Sequence, residues 1–115
     1  MARYTQSRIT GHVERDVFVI RVAGEVESDD DEAFQEAWDE ADAQALAVTV
    51  VDLSQVRFGN SGLLNELLRG RSRHLVAGRS FVVAGPLSPP VERLFSVTGV
   101  YEHFTFAQSL DSALD

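Results

Sequence analysis

Apolar and polar positions along the chain predict nine elements of secondary structure. Segments 7–13 and 17–24 are rich in β-branched residues and are separated by a short polar stretch, so they predict an antiparallel hairpin. Apolar residues then recur at helical spacing, which predicts an amphipathic helix. Ser28 is its predicted N-cap, because Asp31 three residues later completes a capping box. The face expected to be buried consists of Ala33, Phe34, Ala37, Trp38 and Ala41.

The second half of the chain alternates strand-like and helix-like segments. A continuous apolar run over 45–53 predicts a central strand buried on both faces, and the segment SQVRF after it is expected to be a connection. Helices are predicted over 61–76 and 88–98, the second with proline at its first positions and Gly99 as its stop. The inward residues of the first helix are expected to be Leu64, Leu67, Leu68 and Leu75. The remaining elements are strands within 79–85 and 103–107 and a last helical turn capped by Ser109.

The predicted order is therefore β-β-α-β-α-β-α-β-α. It implies an α/β fold with a mixed sheet of about five strands, about four helices and right-handed crossovers between its parallel strands. A length of 115 residues with 44% hydrophobic content is typical of one compact domain. We therefore expect a single domain over 1–115.

Charge is distributed unevenly along the chain. The net charge is −8; residues 25–42 contain ten acids and no base, while residues 57–79 contain five arginines and only Glu66 as an acid. Nucleic acid and anionic membranes are polyanions, so neither is an expected partner. A basic protein surface fits better. The arginines are either a solvated helix face or the border of a docking surface.

No catalytic cluster is recognisable. His12, His74 and His103 lack metal-ligand spacing, and no phosphate-binding glycine loop or nucleophile elbow is present. We therefore expect no enzyme activity, catalytic residue, metal or cofactor. No run approaches the roughly 18 apolar residues of a membrane span, and the N-terminus lacks the apolar core of a secretory signal, so a cytoplasmic location is expected.

The segment DLSQVRFGNSGLL, residues 52–64, runs from a strand into a helix through small polar residues. It resembles the hallmark D-L-S-x-V-x-F-x-D-S-S-G-L of STAS domains, specifically the single-domain anti-anti-sigma factors of bacterial partner-switching systems. GEVE at 24–27 is similar to the family's G-E-L-D, and RLFSVTGVYEHF and SLDSAL are similar to its C-terminal elements. The resemblance covers nearly the whole chain. It implies a STAS-like fold and binding to an anti-sigma factor, commonly an ATP-dependent serine kinase, with release of a sigma factor.

The chain departs from this pattern where the family is phosphorylated. Without gaps, Asn60 replaces the motif aspartate and Gly62 occupies the phosphoserine position. Three interpretations follow: a constitutive antagonist, phosphorylation of Ser61 after a one-residue shift, or loss of switching in a scaffold or ligand-sensing STAS protein. Ser61 or Asn60 also suits an ordinary helix cap.

The resemblance assigns the partner-binding surface to the turn and the start of the following helix. Leu63 stands beside the core-facing Leu64, so we expect it to be partly exposed in the interface; packing under the helix that begins near Ser88 is the alternative. The expected partner-binding residues are Phe58, Gly59, Asn60, Ser61, Gly62, Leu63 and Arg69. The rival functions are a STAS scaffold or sensor without sigma regulation, and a small enzyme acting on a phosphorylated substrate. Self-association is left open.

Overall fold

A computed structural model describes residues 8–27 and 30–115. It contains five strands, four α-helices and a 3₁₀ turn at Val100–His103. The strands are β1 (Arg8–Glu14), β2 (Val17–Val26), β3 (Val48–Gly59), β4 (Ser80–Ala84) and β5 (Thr105–Ala107). The helices are α1 (Asp31–Gln44), α2 (Ser61–Val76), α3 (Pro89–Thr98) and α4 (Leu110–Leu114). The predicted order of elements is confirmed.

The strands form one mixed sheet whose spatial order, β1-β2-β3-β4-β5, is also their order along the chain. β1 and β2 pair antiparallel as the predicted hairpin, while β2, β3, β4 and β5 are mutually parallel. Each parallel connection contains a helix, as a crossover requires. Residues 49–53 of β3 are all buried, as expected of a central strand.

β3 is longer than predicted. The segment SQVRF belongs to the strand and not to a connection, because β2 continues to Val26 and gives these polar residues a parallel partner. Two register shifts, between Arg21 and Ala23 and between Gly24 and Glu25, accompany this extension. Because of this pairing, β3 extends to Gly59, and only Asn60 separates it from the start of α2.

The core side of α1 is a stripe of four residues at helical spacing, Phe34, Ala37, Trp38 and Ala41. Ala33 is exposed, contrary to the prediction, because it lies about 100° around the helix from Phe34. The Trp38 ring is fully buried and its centroid lies 5.7 Å from those of Phe34 and Phe81. Ser28, the predicted N-cap, lies outside the described residues.

The inward side of α2 also differs from the prediction in its last turn. Leu64 and Leu67 are buried and Leu68 is half-buried, but Leu75 is 58% exposed. The buried place in that turn is taken by His74. α2 lies close against α1 at Gly70, where an added Cβ would lie 2.7 Å from the Trp38 ring.

α3 and α4 begin and end close to the predicted positions. α3 has proline at its first positions and ends before Gly99, whose φ of 71° is the left-handed conformation that favours glycine. Ser109 caps α4, since its side chain accepts a hydrogen bond from the backbone N–H of Ser112. These two helices pack against the central and C-terminal strands. The predicted elements of the C-terminal region are therefore confirmed, except that β5 begins at Thr105 and not at residue 103, because His103 closes the 3₁₀ turn.

Candidate functional site

The junction between β3 and α2 is fixed by Asn60. This residue is the N-cap of α2, and its Oδ1 accepts a hydrogen bond from the backbone N–H of Gly62 at 2.8 Å. Its own N–H donates to the Val26 carbonyl at 3.3 Å, and its carbonyl accepts from the N–H of Leu63 at 3.0 Å. Asn60 therefore holds the helix start and joins it to the end of β2. The cap is Asn60 and not Ser61.

Two side chains of the junction face solvent. Ser61, the first residue of α2, is exposed, and Phe58 is 46% exposed. Gly62 is buried, and its N–H is already bonded to the Asn60 side chain. Ser61 has the only hydroxyl between Phe58 and Gly62. The accessible hydroxyl thus lies one residue before the family's usual acceptor position.

Leu63 is fully buried, so the prediction that it is partly exposed is wrong. An added Cβ on Gly59 would lie 2.6 Å from Leu63 Cδ2. The missing side chain of Gly59 therefore gives Leu63 room to pack against the end of β3, while Leu64 enters the same core cluster from the next position. Leu63 therefore packs inside the protein beneath the junction, and neither Gly59 nor Leu63 offers an exposed side chain to a partner.

Arg69 is 58% exposed in its side chain but is not a free cation. Its Nη1 donates to Glu66 Oε2 at 3.0 Å. It lies eight residues after Ser61, about 12 Å along the helix axis, so the two side chains occupy separate parts of the surface. Of the seven predicted partner-binding residues, the structure brings six together at the junction and places Arg69 apart from them.

The polar network behind the junction includes residues that sequence reasoning missed. Glu66 is 1% exposed, and its Oε1 accepts a hydrogen bond from Trp38 Nε1 at 3.2 Å. Burial raises the pKa of Glu66 above its usual range, with the nearby Asp31 acting in the same direction and the Arg69 charge opposing it. No signal in the sequence pointed to Glu66, because Leu63, which lies three residues earlier on the same side of α2, was itself expected to be partly exposed.

The other border of the junction is the start of α3. Ser88 Oγ donates to the Arg57 carbonyl at 3.2 Å, and the Arg57 guanidinium lies 3.9 Å from a Glu25 carboxylate oxygen. These contacts bring the ends of β2 and β3 and the first turn of α3 to one side of the molecule. The exposed Phe58 follows Arg57 directly at this end of β3.

Within residues 8–27 and 30–115, no three histidine or acidic side chains are grouped so that they could hold a metal ion. The described helices also include none that is long and apolar enough to cross a bilayer.

Comparison with known proteins places the chain in a family. Residues 10–106 match the family described as "Mlab, STAS domain". The chain belongs to the STAS domain family. No curated protein matches it.

Solved structures resemble this STAS domain over nearly its whole length. An anti-sigma factor antagonist from Mycobacterium paratuberculosis is 26% identical, with a TM-score of 0.83, over 95% of this chain and 92% of the other. The Bacillus cell fate determinant SpoIIAA in its phosphorylated form is 25% identical, with a TM-score of 0.61, over 96% and 97%. Unphosphorylated SpoIIAA, described as an anti-sigma factor antagonist, is 24% identical, with a TM-score of 0.65, over 96% and 94%. The predicted STAS-like fold and the resemblance to anti-sigma factor antagonists are confirmed.

Proposed function

We propose that this STAS domain is an anti-sigma factor antagonist, which binds an anti-sigma factor of the serine-kinase type and thereby frees a sigma factor. The observation that carries the proposal is the 26% identity to the Mycobacterium paratuberculosis antagonist over 95% of this chain. We further propose that the domain is a non-enzymatic module of the cytoplasm, and that residues 1–115 form one domain.

The proposed contact surface is the junction from Phe58 to Gly62 and the first turn of α2. It combines an exposed aromatic ring with an exposed hydroxyl on a helix start held by Asn60. An exposed aromatic side chain suits a partner interface, since burying it on binding removes a large apolar area from water. The net charge of −8 favours a partner with a basic contact surface.

We propose Ser61 as the residue through which phosphorylation acts on this surface. Its hydroxyl is exposed, whereas Gly62 offers no hydroxyl and is buried. A phosphate would add about 1.5 to 2 negative charges in the middle of the interface. The helix N-terminus would tolerate that charge, so the fold would persist, while the bulk of the phosphate and the cost of desolvating it would separate the interface.

Affinity capture from a lysate of the host, followed by binding of the purified anti-sigma factor, tests the proposal. Phe58→Ala is the test variant, and Val97→Ala, which alters an apolar residue 74% exposed on α3, is the matched control. The wild type and Val97→Ala should retain a kinase-like anti-sigma factor, and Phe58→Ala should lose it. Capture of other STAS chains alone would favour the rival scaffold function and overturn the proposal.

Incubation of the complex with ATP tests the proposed control. Phosphate should appear on Ser61 by mass spectrometry, and the complex should dissociate. A stable complex with no phosphate incorporated would identify a constitutive antagonist instead. Turnover of a phosphorylated small molecule that Ser61→Ala abolishes would contradict the non-enzymatic assignment.

A further inference from the structure

β1 lies at one edge of the sheet. It pairs antiparallel with β2 along one side over its whole length, Arg8–Glu14. No other strand within residues 8–27 and 30–115 pairs with its outer side, the side away from β2. The strand at the opposite edge, β5, has only three residues. β1 is therefore the longer edge strand, and an unpaired strand edge is a template for pairing with another chain.

The hairpin turn decides which backbone groups of β1 face outward. The turn between β1 and β2 has two residues, both with positive φ, so Glu14 and Val17 beside it form a hydrogen-bonded pair. Hydrogen-bonded pairs alternate with non-hydrogen-bonded pairs along an antiparallel ladder. The residues whose N–H and C=O groups point away from β2 are therefore Ile9, Gly11 and Val13.

The sequence of β1 is complementary to itself in one antiparallel register. With Gly11 opposite Gly11, a second copy places Glu14 opposite Arg8 at both ends of the ladder. Ile9 and Val13 then lie opposite each other as well. The outward-facing residues thus pair with one another, as an antiparallel ladder requires, and form up to about six hydrogen bonds. Opposite charges that face each other across two strands stabilise their pairing.

Other registers fit less well. A shift of two residues keeps the outward-facing groups in pairs but shortens the ladder. In one direction the shift places Arg8 opposite His12, and in the other it places His12 opposite His12. Both shifts lose the contact between Arg8 and Glu14. The charges of β1 therefore favour the register centred on Gly11.

We propose that two copies of this chain associate through their β1 strands, paired antiparallel about a two-fold axis at Gly11, into one continuous sheet. The assembly closes as a dimer, because both copies use the same edge and neither leaves it free for a third. Val13, which is 49% exposed, would be covered by Ile9 of the second copy. The contact includes neither Phe58 nor Ser61, so it is independent of the proposed function.

The acidic charge of the chain opposes this contact. Glu40 of α1 lies over Gly11, with its Oε1 3.2 Å from a Cβ built there, so the two copies of Glu40 approach each other near the axis. The net charge of −8 acts in the same direction at longer range. We therefore expect a reversible dimer that forms at high protein concentration. Glu40→Gln should lower its dissociation constant several-fold, and an unchanged or raised constant would contradict the position of the axis.

Sedimentation equilibrium over a wide range of protein concentrations measures the dimer. The wild type should approach twice the mass of the chain as its concentration rises. Arg8→Glu and Glu14→Arg each replace two attractive contacts by two repulsive ones, so each should raise the dissociation constant by about tenfold or more. The controls Arg93→Glu and Glu92→Arg make the same changes of charge at exposed positions of α3 and should stay close to the wild type.

A mixture of the two β1 variants tests the register itself, because Arg8→Glu and Glu14→Arg are complementary to each other. The equimolar mixture should form a heterodimer at concentrations where each variant alone is monomeric. A wild type that stays monomeric at every concentration would overturn the proposal. So would a dimer that both variants retain, or a mixture that stays monomeric.

Amide hydrogen exchange locates the contact on the chain. The N–H groups of Thr10 and His12 are bonded to β2 and should be protected in the monomer and in the dimer. Exchange at Ile9, Gly11 and Val13 should slow only as the dimer forms. A dimer in which these three residues still exchange at the rate of the monomer would use another surface and would contradict the proposal. Circular dichroism verifies that each variant is folded.

Discussion

The two ends of α2 differ in how they are held. At the N-terminal end, the Asn60 side chain caps the helix by one hydrogen bond, and Phe58 and Ser61 face solvent. At the C-terminal end, Arg73 binds Asp39 at 2.9 Å and Asp42 at 2.5 Å, and Arg79 binds Asp42 and the Ala41 carbonyl. Despite the opposing effect of burial, the hydrogen bonds and charges of the two arginines lower the pKa of Asp42.

His74 adds a buried anchor to that C-terminal end. Its Nδ1 donates to the Gly70 carbonyl at 2.7 Å, which leaves Nε2 to accept from the Thr49 hydroxyl, also at 2.7 Å. Burial lowers the pKa of His74, so this neutral form persists in the folded protein. The arginines therefore have a structural role at this end, and the opposite end is left accessible. α2 is anchored by side-chain contacts at its C-terminal end, whereas Ser61 at its N-terminal end faces solvent.

The largest expected effect comes from forcing α1 and α2 apart. Gly70→Val places a side chain against the rigid Trp38 ring, where even a Cβ would lie at 2.7 Å, and should reduce the free energy of unfolding by about 3 kcal/mol. Urea denaturation followed by Trp38 fluorescence measures the loss. The control Ser72→Val, at an exposed position of the same helix, should cost less than about 1 kcal/mol. Equal losses in the two variants would contradict close packing at Gly70.

Replacing the buried anchor should have the next largest effect. His74→Gln should cost about 2 kcal/mol, because the two hydrogen bonds to Gly70 and Thr49 are lost or distorted. The wild type should also lose stability as the pH falls below 6.5, the ordinary histidine pKa, because the unfolded chain takes up a proton that buried His74 resists.

The pH dependence distinguishes a buried neutral histidine from a merely well-packed one. Denaturation is measured at several pH values for the wild type, for His74→Gln and for the exposed control His103→Gln. Comparing their free energies of unfolding at each pH isolates the contribution of His74. His103→Gln should retain the dependence assigned to His74. A difference between the wild type and His74→Gln that stays constant with pH would disprove the assignment.

A smaller effect is expected from the N-terminal cap. Asn60→Ala removes the acceptor of the Gly62 N–H and should reduce the free energy of unfolding by about 1 kcal/mol. Asn65→Ala, at an exposed position in the second turn of the helix, is the control and should be neutral or slightly stabilising. Thermal denaturation compares the two. A neutral Asn60→Ala would mean that the cap does not hold the junction.

The smallest effect on stability is expected at Ser61, the residue proposed to control binding. Ser61→Glu should change the free energy of unfolding by less than about 0.5 kcal/mol, because an acid at a helix start is favoured by the dipole. The same change should weaken binding of the anti-sigma factor by tenfold or more, on the order of 1.4 kcal/mol. Calorimetry measures both the free energy of unfolding and the free energy of binding, and so tests whether Ser61→Glu changes only the second. Loss of stability in proportion to binding would mean that Ser61 is a structural residue.

Hydrophobic periodicity predicted the helices and strands of this fold well, because each buried stripe lies within a single element of the sequence. The stripe of α1 from Phe34 to Ala41 and the apolar run in β3 could be read directly. The polar extension of β3 could not, because its strand conformation depends on pairing with β2, a contact between segments about thirty residues apart.

The junction between β3 and α2 was predicted in position but not in detail. The motif located the junction, yet the burial of Leu63 depends on the absence of a side chain at Gly59, which hydrophobic periodicity does not encode. Likewise, the anchoring role of Arg73 depends on where the α1 acids lie when the helices pack. Charge and spacing indicated a basic helix, but only tertiary contacts distinguish a docking arginine from a structural one.

The identical order of strands in the sheet and along the chain also bears on how this protein folds. Each strand pairs with the strand that immediately precedes it, so no strand waits for a distant segment to be synthesised. The entropy lost in closing each connection grows only slowly with its length, although parallel pairing across a helical connection forms more slowly than a hairpin. As the chain leaves the ribosome, the sheet can therefore grow one strand at a time, with β5 added last.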